Sequence, residues 1–332
     1  MKALIYTGPK QVEYLDIDDP VPNKGELIVK ISNVGICGSD MHAYLGHDDR
    51  RPAPLILGHE ASGVIEEGEK KGERVVINPL VTCGKCQHCT DGRSNLCSKR
   101  QIISMPPRQG AFAEYIAMDP TNLISIPNGL NETKAALAEP LATSWHAVSV
   151  ASRHSHRHLA ESKGLVIGAG AVGIGSALSL NNFGCREIFI AETNSLRSKM
   201  AESLEIGTVF DPTLKHCIKY GSMDVVIDAV GCKESRNTAI KFAKPGSVVV
   251  HIGLLDGNDG FDARRVTLQE IVFVGVYTYT MTDFKQTVYA MSEGKLGHLD
   301  WYDECSLKDG NKAFYNLFKG KTAAAKIVLK PF

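Results

Sequence analysis

Val166-Ile167-Gly168-Ala169-Gly170-Ala171-Val172-Gly173 sets a G-x-G-x-x-G between an apolar run and a helical pattern. The run ahead of it, Gly164-Leu165-Val166-Ile167, reads as a buried strand, and Ile174 to Asn181 reads as the following helix. In that context the glycines have separate duties. Gly168 allows a tight turn, Gly170 lets a pyrophosphate approach the backbone, and Gly173 lets the helix pack closely on the strand. The helix N-terminus, with Ala171 and Val172 in its first turn, then offers unpaired N–H groups to the phosphates. Glu192 ends the next strand, 24 residues after Gly168, where a carboxylate can accept hydrogen bonds from ribose hydroxyls. It would repel a 2′-phosphate, so NAD is favoured over NADP. Arg197 works against that preference, because an arginine near this strand end can accept the extra phosphate. The competing reading is a glycine-rich turn with an incidental surface glutamate, and the strand before and helix after weigh against it.

Outward from this motif, Glu187-Ile188-Phe189-Ile190-Ala191, Asp224-Val225-Val226-Ile227-Asp228 and Ser247-Val248-Val249-Val250-His251 are further apolar strands separated by helical stretches. Such alternation means a parallel sheet covered on both faces. Upstream, short runs such as Leu27-Ile28-Val29-Lys30-Ile31 and Arg74-Val75-Val76-Ile77-Asn78-Pro79 are punctuated by glycine and proline, which points to a β-rich domain. Ala325-Lys326-Ile327-Val328-Leu329 reads as a closing strand. His154, His156 and His158 alternate with polar and basic residues and read as a solvated loop rather than a metal site.

The chain has 332 residues, room for about two domains. Its 37 basic and 37 acidic residues balance, so nothing suggests nucleic acid or an anionic membrane as partner. No apolar stretch reaches the length of a membrane span, and the N-terminus lacks the apolar core of a signal peptide. Nine cysteines, one cluster of four plus singles at Cys37, Cys185, Cys217, Cys232 and Cys305, read as metal ligands and reduced thiols. A soluble cytoplasmic protein is expected.

The cluster is Cys83, Cys86, Cys89 and Cys97, spaced C-x2-C-x2-C-x7-C. Four thiolates this close can enclose a tetrahedral zinc without help from the rest of the chain. Iron–sulfur runs use a shorter last gap with a following proline, whereas Ser98 follows Cys97 here; zinc is favoured.

Two more segments, Gly35-Ile36-Cys37-Gly38-Ser39-Asp40-Met41-His42 and Leu57-Gly58-His59-Glu60-Ala61-Ser62-Gly63, precede that cluster. With the cysteine run and the glycine motif, in this order, they resemble the zinc-dependent medium-chain alcohol dehydrogenases, in particular the sorbitol and polyol branch. The resemblance covers essentially the whole chain. It implies an α/β protein: a β-rich GroES-like catalytic domain at 1–146 and 292–332, and a doubly wound Rossmann NAD-binding domain at 147–291. It implies two zinc ions per chain. Cys37, His59 and a carboxylate, from Glu60 or from Glu139 in Glu139-Pro140-Leu141, would hold the catalytic one. Asp40 would hydrogen-bond the other nitrogen of His59. Cys83, Cys86, Cys89 and Cys97 would hold the structural one. Ser39 starts, and His42 ends, the proton relay that the family uses. A homodimer or homotetramer, joined through the strand-like edge Glu270 to Val276, is expected as well.

The implied reaction moves a hydride from a secondary alcohol, a polyol, sugar alcohol or sugar-acid derivative, to NAD. Two features depart from the polyol pattern. Thr278 stands where the polyol enzymes carry an arginine, and the loop Tyr44-Leu45-Gly46-His47-Asp48-Asp49-Arg50-Arg51 is unusually charged, either solvated or meeting a polar substrate through Arg50 or Arg51. The runner-up is an L-threonine 3-dehydrogenase-like enzyme for a hydroxy amino acid. A third reading, from another class, is a non-catalytic nucleotide-binding zinc protein.

Overall fold

A computed structural model describes every residue except Asp256. It divides the chain into two units, Met1–Glu139 with Thr280–Phe332, and Pro140–Tyr279. The boundaries expected from sequence, 146/147 and 291/292, lie inside the helices Ala138–His154 and Met281–Ser292, which carry no compositional mark at those points.

In the unit Pro140–Tyr279 six strands form one sheet: β1 (Lys163–Ile167), β2 (Glu187–Ala191), β3 (Thr208–Phe210), β4 (Met223–Asp228), β5 (Ala243–His251) and β6 (Val272–Gly275). Their order is β3-β2-β1-β4-β5-β6, with every neighbouring pair parallel. The order reverses between β1 and β4, and dinucleotides bind outside the carboxyl ends of the strands at such a reversal. The apolar runs follow from covering both faces: every residue of β4 is buried. Helix α1 (Ala171–Asn182) leaves β1 and is buried on nearly all sides. Leu165, Phe189, Val226, Phe242 and Val249 are core residues of this unit.

The other unit is built on a seven-stranded sheet. Leu27–Gly35 lies in its middle, antiparallel to Glu60–Ile65 with Gly35 opposite Glu60. On its other side it is antiparallel to Lys326–Lys330, with Val328 opposite Gly35. Residues far apart in sequence are thereby brought to one end of Leu27–Gly35, where the chain turns into the helix Gly38–Tyr44. The core beneath includes Leu4, Ile31, Ile65, Phe112 and Phe314, the last two rings edge-to-face at 5.9 Å. Truncating either ring to alanine would cost about 3–5 kcal/mol. Among the described residues no helix is long and apolar enough to cross a membrane.

Candidate metal and nucleotide sites

Cys37 immediately precedes the helix Gly38–Tyr44, and Asp40 turns back on it, Oδ2 accepting from the Cys37 N–H at 2.9 Å. Oδ1 of Asp40 accepts from Gly58 N at 3.2 Å and lies 3.5 Å from His59 Nδ1. Burial opposes ionisation of Asp40, but His59 and Arg51 outweigh it and hold the carboxyl below its usual range. A carboxylate on Nδ1 keeps a proton there and presents Nε2 to the site. The Cys37 Sγ, a His59 ring nitrogen and a Glu60 carboxylate oxygen all lie within 4.8 Å of one another. One thiolate, one imidazole and one carboxylate make a donor set that suits zinc with an open fourth position. These residues fit the metal.

Glu139 does not fall within that 4.8 Å group. It stands in the first turn of Ala138–His154, buried, and its charge helps raise the pKa of Lys326. Ser39 Oγ lies 3.5 Å from His59 Nε2. His42 is on the same short helix, and burial holds its pKa below the ordinary histidine value.

Two neighbours were not legible in the sequence. Lys326, at the head of the strand Lys326–Lys330, is buried; its Nζ donates to Glu60 Oε1 at 2.7 Å and to Ile36 O at 2.9 Å. The only hint is a lysine heading a strand that must be apolar on its inner face. Arg51 belongs to the charged loop, yet it is neither solvated nor free. It donates from Nε to Ser104 O at 3.0 Å, pairs with Asp48, and reaches Ser39 Oγ at 3.5 Å. Arg50 is the exposed member, paired to Asp48.

The four sulfurs of Cys83, Cys86, Cys89 and Cys97 also lie within 4.8 Å of one another. Backbone N–H groups of Lys85 and Cys86 face Cys83 and bring its thiol down to about 6. Zinc needs thiolates, and this loop is shaped to stabilise one. A second zinc fits here, in a closed four-sulfur set.

In the other unit the glycine motif joins β1 to α1. A Cβ on Gly173 would lie 1.8 Å from Gly168 O, so the third glycine is needed for the turn to close. A Cβ on Gly170 would meet nothing within 4 Å, which leaves that side open for a ligand. Gly170 caps α1 without any side-chain hydrogen bond, so the first N–H groups, including those of Ala171 and Val172, are available to an anion. Glu192 follows β2 but is only 5% exposed. Its oxygens accept from Ala169 N and Asn194 N, both at 2.8 Å, and Arg197 lies 3.3 Å from Oε2. The carboxylate expected to meet the ribose also braces the turn, with lone pairs left over, since a carboxylate has about four acceptor sites. These residues fit a dinucleotide.

Residues 23–128 match the family described as alcohol dehydrogenase GroES-like domain, and residues 171–293 match zinc-binding dehydrogenase. L-galactonate-5-dehydrogenase of Escherichia coli is 31% identical over 308 residues, covering 89% of this chain and 88% of that protein. The chain belongs to the zinc-dependent medium-chain alcohol dehydrogenase family. It is an oxidoreductase.

Other relatives of this dehydrogenase agree. Sorbitol dehydrogenase of Bacillus subtilis is 27% identical over 350 residues, covering 100% of this chain and 97% of its own. The crystal structure of 2R,3R-butanediol dehydrogenase from Bacillus subtilis superposes with a TM-score of 0.86 at 26% identity, covering 100% of this chain and 99% of that one. The GroES-like and Rossmann architecture expected from the sequence is the one observed.

Proposed function

We propose that this dehydrogenase oxidises a secondary alcohol of the polyol or sugar-acid class, with NAD as hydride acceptor. The observation that carries the reading is the convergence of Cys37, His59 and Glu60 within 4.8 Å, in a chain that also presents an uncapped helix behind a glycine turn. Relatives named for galactonate, sorbitol and butanediol support the substrate class.

Cys37, His59 and a carboxylate of Glu60 or Glu139 would hold a zinc ion, which supplies Lewis acidity that lowers the pKa of a substrate hydroxyl. Asp40 keeps His59 in the tautomer that offers Nε2. Ser39 Oγ, 3.5 Å from that nitrogen, takes the hydroxyl proton. His42, three residues on and with its pKa lowered by burial, passes it toward solvent. Gly168, Gly170 and Gly173, with Glu192 and Arg197, hold the dinucleotide that supplies the hydride acceptor. Cys83, Cys86, Cys89 and Cys97 would hold a second zinc that braces their loop.

The chain is a homodimer or a dimer of dimers in this reading, supported by β6 lying at the sheet edge. A mass measured in solution equal to the 36.0 kDa monomer would count against it. A reducing, cytoplasmic compartment is supported by nine cysteines of which none is paired in a disulfide.

The test is NADH formation against polyols, sugar acids, diols and L-threonine, with NADP run alongside NAD and zinc content measured on the same protein. Turnover of a polyhydroxylated alcohol with NAD, abolished by Cys37→Ser, is expected. Turnover confined to L-threonine would replace the substrate class with a hydroxy amino acid. Failure to bind zinc at Cys37 and His59 would remove the mechanism.

A further inference from the structure

Asp228 and His251 end two neighbouring parallel strands, β4 and β5, and stand opposite one another in register. His251 Nδ1 lies 3.1 Å from Asp228 Oδ2. Asp228 has no exposed surface and gathers further donors: Val230 N and Gly231 N on Oδ1, and Ser235 Oγ on Oδ2, each at 3.0 Å. A carboxylate so surrounded accepts from His251 rather than donating to it, so Nδ1 carries the proton. In the neutral imidazole the remaining nitrogen, Nε2, is then an acceptor. It makes no hydrogen bond among the described residues, and the side chain is 21% exposed.

The platform around this pair is rigid and open on one side. A Cβ on Gly253 would lie 2.1 Å from Val230 C, and one on Gly168 would lie 2.6 Å from Val230 Cγ2. The loops leaving β1, β4 and β5 are therefore packed against one another. On the flank, Gly275 is the residue opposite His251 on β6, and a Cβ there would meet nothing within 4 Å. The His251 ring rests near Phe273, with centroids 5.7 Å apart.

Location gives the pair a task. A sheet of this order takes one mononucleotide on each side of its reversal. The glycine turn and Glu192 belong to the β1–β2 side, which takes the adenosine half. The carboxyl ends of β4 and β5 face the other half. We infer that His251, oriented by Asp228, accepts a hydrogen bond through Nε2 from the nicotinamide half of the dinucleotide. The donors of that half are the ribose hydroxyls and the carboxamide N–H groups, and either matches a neutral imidazole acceptor. Asp228 acts only through His251, as a positioning residue. The inference rests on the NAD reading above.

The test compares binding of ADP, ADP-ribose and NADH, by calorimetry and NADH fluorescence, in the unaltered protein and in His251→Phe. Phenylalanine keeps the ring packed on Phe273 and removes the acceptor; His251→Ala serves as a second variant, and the thermal midpoint of each reports folding. The expected result is NADH binding weakened about tenfold, the loss of one hydrogen bond, with ADP affinity unchanged. A parallel loss for ADP-ribose assigns the contact to the ribose, and an unchanged ADP-ribose affinity assigns it to the carboxamide. Unchanged NADH affinity in a folded variant, or equal losses for ADP and NADH, overturns the inference. An unaltered protein that binds no NADH overturns the cofactor reading itself.

Discussion

Lys326 Nζ sits 2.7 Å from Oε1 and 2.6 Å from Oε2 of Glu60, and both side chains are buried. Burial works against the lysine's charge, but Glu60 and Cys37 outweigh it and raise its pKa. A Cβ on Gly35 would lie 2.2 Å from Glu60 Oε2, so the carboxylate lies directly against a strand that has made room for it. The pair ties the closing strand of the chain to the residue that follows the ligand histidine.

Lys326→Met tests what that tie contributes. With the ammonium gone, the buried Glu60 carboxylate loses its lysine counter-charge. Removing one partner of a buried pair costs about 3–5 kcal/mol. The zinc-free protein should lose stability by that order in denaturant melts, and the zinc-loaded protein by markedly less, because the metal supplies positive charge. Equal losses in the two forms would mean that Lys326 and the metal do not share Glu60.

The four-cysteine loop should behave as a separate metal unit. Cys86→Ser is expected to remove one zinc per chain while leaving the ion at Cys37 and His59, since the two donor groups share no residue. Metal analysis counts the ions, and limited proteolysis should cut the variant between Cys83 and Cys97, where the helix Gln87–Thr90 has no buried residue to hold it without the metal. A variant that keeps both ions contradicts the closed four-sulfur site.

Glu192 has two roles that one substitution separates. Glu192→Gln keeps the carbonyl that can accept from Ala169 N but removes the negative charge that pairs with Arg197. Hydrogen bonds to charged groups contribute about 1.5–3 kcal/mol. NAD should therefore be used about tenfold less well, while NADP gains from the released Arg197. The ratio of kcat/KM for the two cofactors measures this, and an unchanged ratio would remove Glu192 from cofactor choice.

Thr278 adopts φ of +48°, in the left-handed region that β-branched residues avoid, and its Oγ1 is buried without a hydrogen bond. Nothing about the hydroxyl offsets the strain. Thr278→Asn, a residue that tolerates this backbone, should stabilise the protein by about 1 kcal/mol, read as a Tm higher by about 2 °C. A lower Tm would show that the threonine methyl packs better than its backbone suggests.

Much of this was legible locally. The strands Glu187–Ala191 and Arg74–Ile77, the turn Gly168 to Gly173 and the Cys83 to Cys97 loop each announce themselves within one short segment. Their residue types answer needs met nearby: a glycine where backbone approaches backbone, four thiolates where one loop can enclose a metal. The joining of Cys37, His59 and Glu60 was reached only through the resemblance, since no spacing within the chain requires it.

Lys326, Arg51 and the Asp228–His251 pair were out of reach for a different reason. Read alone, Lys326 is a polar residue at the start of a strand, Arg51 one charge in a charged loop, and His251 a polar strand end. What each does depends on which strand lies beside it and in which register: Val328 opposite Gly35, Gly35 opposite Glu60, Asp228 opposite His251. Register is chosen by the packing of the whole sheet, and a one-residue slip would send every such side chain to the opposite face. The sequence by itself determined the two architectures, the four-sulfur loop and the nucleotide turn, because each is encoded in contiguous spacing. The tertiary structure alone decided which buried charges face the ligand residues, because those contacts join segments that no local pattern connects.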